Sequence, residues 1–260
     1  MRILPSYCLK IVLSFMIVTG LGFGLGNTPK VQADEKDLIN IPGNFSTTLG
    51  IVTDYRYRGL SQTDRHPAIQ GSFDWSHESG FYLGVWGSNV DFQEGGTNSG
   101  NGASTEFDWY GGYGTEFMGF SLDAGVLYYT YPGAANGLGY DFVEYNGHIG
   151  YSWNIISVTA GINYSPEFFA LSDGATYSTF DGEVDLGHNL SVIGHWGHQE
   201  VDNNATYTHP DYNDWSLGAA YSTNGFDFKL LYVDTDIEDS SCGVTDACDS
   251  GAVFSISRSF

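Results

Sequence analysis

Acidic side chains recur at every second position in several stretches of this chain. Asp181, Glu183 and Asp185 follow one another with this spacing, as do Glu106 and Asp108. A spacing of two puts side chains on one face of a β-strand, where rows of carboxylates attract cations, bind hard metal ions or act as an acid and a base. Because such pairs occur throughout this acidic sequence, none of them singles out a catalytic site.

The histidines and the sequence motifs also argue against catalysis. His195 and His198 are three residues apart, which places their imidazoles on opposite faces of a strand and argues against a shared zinc ion. The nucleophile elbow, the HExxH pair, the Walker-type loop and the dinucleotide fingerprint are absent from the sequence. We therefore expect neither an enzyme nor a bound cofactor.

Two cysteines and an acidic segment lie close together near the end of the chain. Cys242 and Cys248 are the only cysteines after Cys8, and an oxidising compartment favours a disulfide between them. The acidic segment offers oxygen ligands for Ca²⁺, or for divalent ions that bridge to lipopolysaccharide. It lacks the glycine and spacing of an EF-hand, so we interpret it as a solvated loop and predict no metal site. The weak Ca²⁺ candidates are Asp234, Asp236, Glu238 and Asp239.

The N-terminal segment has the pattern of a secretory signal. Residues 1–33 carry three basic residues and no acidic one, with an apolar run over residues 11–25 and a small-residue site at residues 31–33. This pattern predicts a cleaved signal peptide. The alternative is a membrane anchor, but three glycines interrupt the run and a fourth follows it, and the run is short for a span. Residues 34–43 then form a short periplasmic lead, and residues 44–260 a single domain.

The composition after residue 33 narrows the class of protein. Six basic residues stand against 31 acidic ones, which disfavours nucleic acid as a partner. Glycine, tyrosine and phenylalanine are abundant and proline is scarce, as is typical of β-sheet. No stretch reaches the roughly 18 apolar residues of a transmembrane helix, so this domain can span a bilayer only as a closed β-barrel.

The domain divides into segments in which apolar and polar side chains alternate, the period of a β-strand. Tight connections, such as Asn154 and residues 223–224, alternate with longer polar ones, as in outer-membrane barrels. With an even number of strands both termini lie on the periplasmic side and the long loops outside. The sequence predicts an all-β, up-and-down antiparallel barrel of about twelve strands. They lie near residues 44–56, 67–76, 80–92, 104–117, 119–131, 141–153, 155–164, 175–187, 189–199, 212–223, 225–236 and 250–260.

Aromatic residues near the strand ends fit the two interfaces of a membrane. Tyr129, Tyr131 and Tyr140, beside a long connection, are typical of such an aromatic belt. The last strand puts Phe254, Ile256 and Phe260 on one face, and this terminal pattern resembles the signal that barrel-assembly machinery recognises. A soluble sandwich has the same period, so a secreted carbohydrate-binding β-sandwich is the alternative fold.

Three segments carry a resemblance to a known family. Residues 52–64 (VTDYRYRGLSQTD), 67–74 (PAIQGSFD) and 79–92 (SGFYLGVWGSNVDF) closely resemble the TorF family of outer-membrane porins. Residues 106–113 (EFDWYGGY) and the closing SRSF also resemble segments of this family, though more loosely. The resemblance implies an outer-membrane location and a channel, and it supplies no catalytic residues.

If the apolar faces of the strands point to lipid, the acidic side chains point into the lumen. A lumen lined in this way favours cations, because a water-filled tube in a low dielectric focuses the field of its wall charges. The alternative is a lumen packed with paired charges and no open path. Arg56 and Arg58 form either the basic side of a constriction or a salt-bridged scaffold. The predicted pore-lining residues are Asp54, Arg56, Arg58, Asp74, Glu106, Asp108, Asp123, Glu144, Asp181, Glu183, Asp185, Asp227 and Lys229.

These patterns together predict a non-enzymatic barrel in the outer membrane of a Gram-negative bacterium. It is expected to let small solutes, preferentially cations, diffuse across that membrane. Its expected partners are outer-membrane lipid and lipopolysaccharide, the barrel-assembly machinery during biogenesis, and small solutes. A second hypothesis is a structural surface protein that acts through acidic loops that bind divalent ions.

Overall fold

The computed structural model describes residues 41–92, 102–242 and 246–260. The predicted signal peptide and most of the predicted periplasmic lead lie outside the described residues. The side chain of Asp239, one of the weak Ca²⁺ candidates, also lies outside them.

Twelve of the strands form one closed antiparallel barrel, in which each strand pairs with the next along the chain and the last pairs with the first. The barrel confirms the predicted fold class and contradicts the sandwich alternative. Two further short strands, β2 and β3, pair with each other apart from the barrel sheet. In chain order the strands are β1 (Asn44–Val52), β2 (Arg56–Tyr57), β3 (Leu60–Ser61), β4 (Ala68–Ser76), β5 (Phe81–Asn89), β6 (Thr105–Phe117), β7 (Phe120–Thr130), β8 (Phe142–Trp153), β9 (Ile156–Ser165), β10 (Ala175–Asp185), β11 (Leu190–Val201), β12 (Tyr212–Thr223), β13 (Phe226–Thr235) and β14 (Gly251–Ser259).

Alternation along each barrel strand separates an apolar outer face from a polar inner face. On β4 the outward Ile69 is 70% exposed, whereas the neighbouring inward Gln70 is 3% exposed. On β12 the outward Leu217 is 63% exposed and the inward Ser216 is 7% exposed. A soluble protein buries side chains of this kind, whereas a membrane barrel presents them to lipid.

The connections at the two ends of the barrel differ in length. At one end, called the turn end, β12 and β13 are joined by Asn224 and Gly225 with φ of 52° and 78°. Asn-Gly with positive φ at both positions favours a tight two-residue hairpin. Both ends of the barrel sheet, Asn44 and Ser259, also lie at the turn end. The opposite end, called the loop end, carries the longer connections, which include a helix α1 (Asn204–Tyr207).

No helix of the described residues is long and apolar enough to cross a membrane.

The C-terminal residue takes part in closing the barrel. The Phe260 N–H donates to the Thr47 carbonyl at 2.8 Å, and the Thr47 N–H donates to the Phe260 carbonyl at 3.2 Å. On the outer face, the Arg258 guanidinium lies 4.9 Å from the ring centroid of Phe226 and 5.2 Å from that of Phe260. Stacking on these two aromatic rings therefore stabilises the charged Arg258 side chain on the apolar outer face.

Deleting Phe260 is expected to lower the free energy of unfolding by roughly 1–3 kcal/mol, because two backbone hydrogen bonds are lost at the closing seam. Urea unfolding of the protein refolded into lipid vesicles measures this difference. Phe260→Leu is the matched control, since it keeps both backbone bonds. Equal losses in the two variants would show that the side chain, and not the backbone pair, stabilises the seam.

Candidate functional site

Much of the chain between β1 and β4 is buried, and it packs inside the barrel. We call residues 53–67, which include β2 and β3, the inner hairpin. Its residues Tyr55 and Arg56 are fully buried, and Thr63 is 1% exposed. The Tyr55 N–H donates to the Thr63 hydroxyl at 3.2 Å, and that hydroxyl donates to the His66 carbonyl at 2.6 Å. The inner hairpin therefore occupies the loop end of the lumen, and hydrogen bonds within the hairpin satisfy part of its backbone.

Arg56 ties the inner hairpin to the last long connection. Its Nε donates to Asp54 Oδ2 at 2.6 Å, and the Ser61 hydroxyl donates to Asp54 Oδ1 at 2.6 Å. Arg56 Nη1 donates to the carbonyls of Ala247 and Asp249 at 3.1 and 2.8 Å. The guanidinium is thus surrounded by acceptors from its own hairpin and from the connection before β14.

Arg58 reaches the far wall of the barrel. Its Nη2 donates to both carboxylate oxygens of Glu144 on β8, at 2.6 and 2.7 Å, and its Nη1 donates to Gln199 Oε1 on β11 at 2.5 Å. Its guanidinium carbon lies 4.2 Å from the ring centroid of Tyr177 on β10. The Tyr212 hydroxyl of β12 donates to the Arg58 carbonyl at 3.0 Å. The inner hairpin therefore spans the lumen and is anchored to four strands opposite its origin.

The predicted first strand was too long, and this changes the place of three predicted pore-lining residues. The strand ends at Val52 and not near residue 56, so Asp54, Arg56 and Arg58 lie on the inner hairpin and not in a row on the barrel wall. The physical reason is that Asp54 bonds to Arg56 and Ser61 of its own hairpin. These bonds close the hairpin, and the distant bonds of Arg58 to Glu144 and Gln199 hold it inside the lumen.

An aromatic cluster packs beside the inner hairpin at the loop end. Tyr129 stacks on Phe142 with ring centroids 4.2 Å apart, and Tyr140 stacks on Phe169 at 4.3 Å. The prediction of a membrane-interface belt is wrong for Tyr129, Tyr131 and Tyr140, which are buried inside the barrel. Tyr129 lies at an inward position of its strand, and the other two rings pack with Phe169 of the next long connection.

The turn-end half of the lumen carries most of the remaining predicted charges, whereas Glu106 and Asp108 lie near the loop end of β6. Asp74 accepts hydrogen bonds from the hydroxyls of Tyr110 and of Ser72, the latter at 2.7 Å. The Asp123 carboxylate lies 3.4 Å from the Tyr82 hydroxyl. Strand alternation places the others on the same inward face, where Glu183 and Asp185 are exposed. They are Asp181, Glu183, Asp185, Asp227 and Lys229.

His195 sits between two carboxylates in the lumen. Its Nδ1 lies 2.6 Å from Asp181 Oδ1, and its Nε2 lies 3.2 Å from Asp214 Oδ1. The Tyr177 hydroxyl donates to Asp214 Oδ2 at 2.8 Å. Because the Tyr177 ring also contacts the Arg58 guanidinium, Tyr177 links this network to Arg58. Asp214 and His195 are absent from the predicted pore-lining residues, although alternation along β11 and β12 places both inward.

The described residues contain no group of three or more His, Cys, Asp or Glu side chains arranged to hold a metal ion. His198 lies on the opposite face of its strand from His195 and contacts Asn213 Oδ1 at 3.0 Å. Asp236, one of the weak Ca²⁺ candidates, accepts from the Asn213 backbone and side-chain nitrogens, both at 2.6 Å. Asp234 accepts from the Tyr232 hydroxyl at 3.0 Å.

The last long connection forms a cap over the inner hairpin. A disulfide joins Cys242 and Cys248, with Cα atoms 5.8 Å apart, and both cysteines are buried against Leu60 of the hairpin. The Ser61 N–H donates to the Ala247 carbonyl at 2.8 Å. Burial lowers the pKa of the nearby His209 imidazole, against the opposing effect of its hydrogen bond to a backbone carbonyl, so its ring is neutral at pH 7.

A closed barrel with an apolar outer face, a charged lumen and an inward-folded connection defines the porin-like class of fold. Solved structures of this class share the fold at very low sequence identity. The "KdgM porin" is 8% identical with a TM-score of 0.57, covering 83% of this chain and 99% of that one. The NanC porin is 9% identical with a TM-score of 0.53, covering 84% of this chain and 99% of that one. The COG4313 outer membrane channel of Pseudomonas putida F1 is 11% identical with a TM-score of 0.50, covering 89% of this chain and 100% of that one.

The chain belongs to a family described as "Bacterial protein of unknown function (Gcw_chp)", whose model matches residues 39–260. No curated protein matches the sequence.

Proposed function

We propose that this protein is a channel in the outer membrane of a Gram-negative bacterium that lets small solutes, preferentially cations, diffuse across that membrane. The observation that carries the proposal is the excess of carboxylates over basic groups on the inner face of a closed barrel. The porin-like fold supports it, as does the resemblance of the first strands to the TorF porins. In this setting the turn end faces the periplasm and the loop end faces the outside.

The charge of the turn-end half is the basis of the cation preference. In the described part of this half, Lys229 is the lysine or arginine on the inner face. It shares that face with a larger set of carboxylates. A narrow aqueous path between low-dielectric walls raises the local concentration of counter-ions. The acidic lumen residues of this half are Asp74, Asp123, Asp181, Glu183, Asp185 and Asp227.

The inner hairpin sets the resting state of such a channel. Barrels of about eight strands are filled by side chains, and those of about 16 leave an aqueous path, so twelve strands leave room that a folded-in segment can close. In this structure Arg58 and the aromatic cluster fill the loop end. Passage of solutes therefore requires the hairpin to shift, and the closed form conducts little.

Planar-bilayer recording in a salt gradient tests the cation preference. The wild-type protein is expected to give a reversal potential of the sign that marks cation selectivity. Glu183→Gln with Asp185→Asn is expected to bring that potential closer to zero, because both carboxylates are exposed on the inner face of the barrel.

The matched control is Glu238→Gln with Asp246→Asn, which removes the same charge from an exposed part of the last long connection. It is expected to leave the reversal potential nearly unchanged. Anion selectivity of the wild type, or equal shifts in the two double variants, would contradict the proposed role of the lumen carboxylates.

A second candidate is a structural surface protein without channel activity, which acts through acidic loops and divalent ions. The observation that favours it is the anchoring of the inner hairpin by two buried arginines and by the cap of the last connection. It predicts no conductance at any voltage. It also predicts that cells lacking the protein lose envelope integrity when divalent ions are chelated.

A further inference from the structure

Two carboxylates at the loop end of the lumen are buried without an opposite charge. Glu106 and Asp108 lie two residues apart on β6, hence on one face, and are 1% and 0% exposed. Among the described residues, neither carboxylate oxygen of Asp108 has a hydrogen-bond partner, and Glu106 contacts the uncharged hydroxyls of Tyr55 and Tyr131. This is unusual, because buried carboxylate oxygens in proteins are satisfied by hydrogen bonds or by a cation.

The surroundings of this pair are aromatic. Asp108 stands in register between Trp86 of β5 and Tyr129 of β7, both buried. The Tyr55 ring of the inner hairpin packs on Trp86 with centroids 5.4 Å apart. The Tyr131 hydroxyl donates to Glu106 Oε1 at 3.0 Å and satisfies that one oxygen. Aromatic walls exclude water, so the charge of the pair is poorly screened.

The buried arginines nearby are paired with other acids. Arg56 bonds to Asp54, and Arg58 bonds to Glu144. The salt bridges within the described parts of the chain include neither Glu106 nor Asp108. The Tyr129 hydroxyl donates to Glu144 at 2.9 Å and not to the neighbouring Asp108. The two carboxylates therefore need a proton or a metal cation to be stable in this place.

We propose that Glu106 and Asp108 hold a calcium ion between the wall of the barrel and the inner hairpin. The carboxylate oxygens of Asp108 and Glu106 are hard ligands, and the Tyr55 hydroxyl, which contacts Glu106, adds an oxygen from the hairpin. Two negative charges match one divalent cation. Ca²⁺ accepts irregular sets of oxygen ligands, whereas Mg²⁺ requires near-octahedral geometry.

Such an ion would fasten the inner hairpin to a further strand of the barrel wall, two strands away from the β8 anchor of Arg58. Arg58 ties the hairpin to β8 and β11, and the ion ties Tyr55 to β6. The site is separate from the weak Ca²⁺ candidates of the acidic segment. It also does not depend on the proposed channel activity, since a protein that conducts nothing could still bind the ion.

Calcium retention by the folded barrel tests the proposal. The full mature chain is folded in detergent with Ca²⁺, passed through gel filtration without free metal, and analysed for metal by mass spectrometry. We expect the wild type to retain a single calcium ion, and Glu106→Gln with Asp108→Asn to retain none. Tyr55→Phe is expected to weaken calcium binding severalfold in equilibrium dialysis while the barrel still folds. Glu238→Gln with Asp246→Asn, the exposed control, is expected to retain the ion.

Two results would overturn the site. One is the absence of retained calcium in the wild type, or retention that the substitutions at Glu106 and Asp108 leave unchanged. The other is an infrared carbonyl band of a protonated carboxyl in the wild type that disappears in Asp108→Asn, which would show that a proton neutralises the pair. If the double variant does not fold, the wild-type metal content and infrared spectrum decide the question.

Discussion

Arg58→Met is expected to lower the free energy of unfolding by about 3–5 kcal/mol, because it leaves the Glu144 carboxylate buried without its cation. The side chains of Arg58 and Glu144 are 5% and 2% exposed, and the pair is bidentate. The variant also loses the bond to Gln199 and the contact with the Tyr177 ring. Urea unfolding in lipid vesicles measures the change, with the slope of the transition checked for two-state behaviour.

Two comparisons separate this effect from a general sensitivity to losing an arginine. Arg65 pairs with Asp249 at 3.4 Å, but both side chains are more than 40% exposed, so Arg65→Met is expected to cost less than about 1 kcal/mol. Adding Glu144→Gln to Arg58→Met is expected to recover much of the loss, since the buried charge is then removed. If Arg58→Met proved as mild as Arg65→Met, Arg58 would not be an anchor of the hairpin.

The barrel itself could be predicted because its rules are local. Alternation along residues 119–131 placed Asp123 on the inner face of β7, where it faces the Tyr82 hydroxyl, since a side chain's face depends only on its position in the strand. Asn224 and Gly225 mark a turn by their own conformational preference. A pattern of this kind needs no knowledge of distant residues, which is why the strand count also emerged from the sequence.

The inner hairpin could not be predicted in the same way. The alternation of Tyr55, Arg56, Tyr57 and Arg58 continues the period of β1, so the sequence indicates a longer strand. The inward turn depends on contacts with distant partners, such as the bonds from Arg58 to Glu144 and Gln199, which are 86 and 141 residues away. The same limit explains why the aromatic residues at the loop end were assigned to a membrane belt.

Replacing residues 56–63 with a short glycine-serine turn is expected to raise the conductance of the barrel severalfold. The change removes β2, β3 and the anchor at Arg58, so water can enter where the hairpin stood. Glu144 then becomes hydrated, which avoids the cost that Arg58→Met imposes on a closed lumen. The carboxylates of the lumen, which then include the hydrated Glu144, are expected to keep the open path cation-selective. Planar-bilayer recording and solute entry into liposomes measure the two effects.

Removal of residues 94–101 is the control, because it takes the same number of native residues from a different long connection. It is expected to leave the conductance of the barrel close to that of the wild type. Heat-dependent migration in gel electrophoresis would confirm that both shortened barrels are folded. A folded barrel that conducts nothing after loss of the inner hairpin would contradict the channel and favour the structural role, because the twelve-stranded wall would then enclose no continuous path even without its plug.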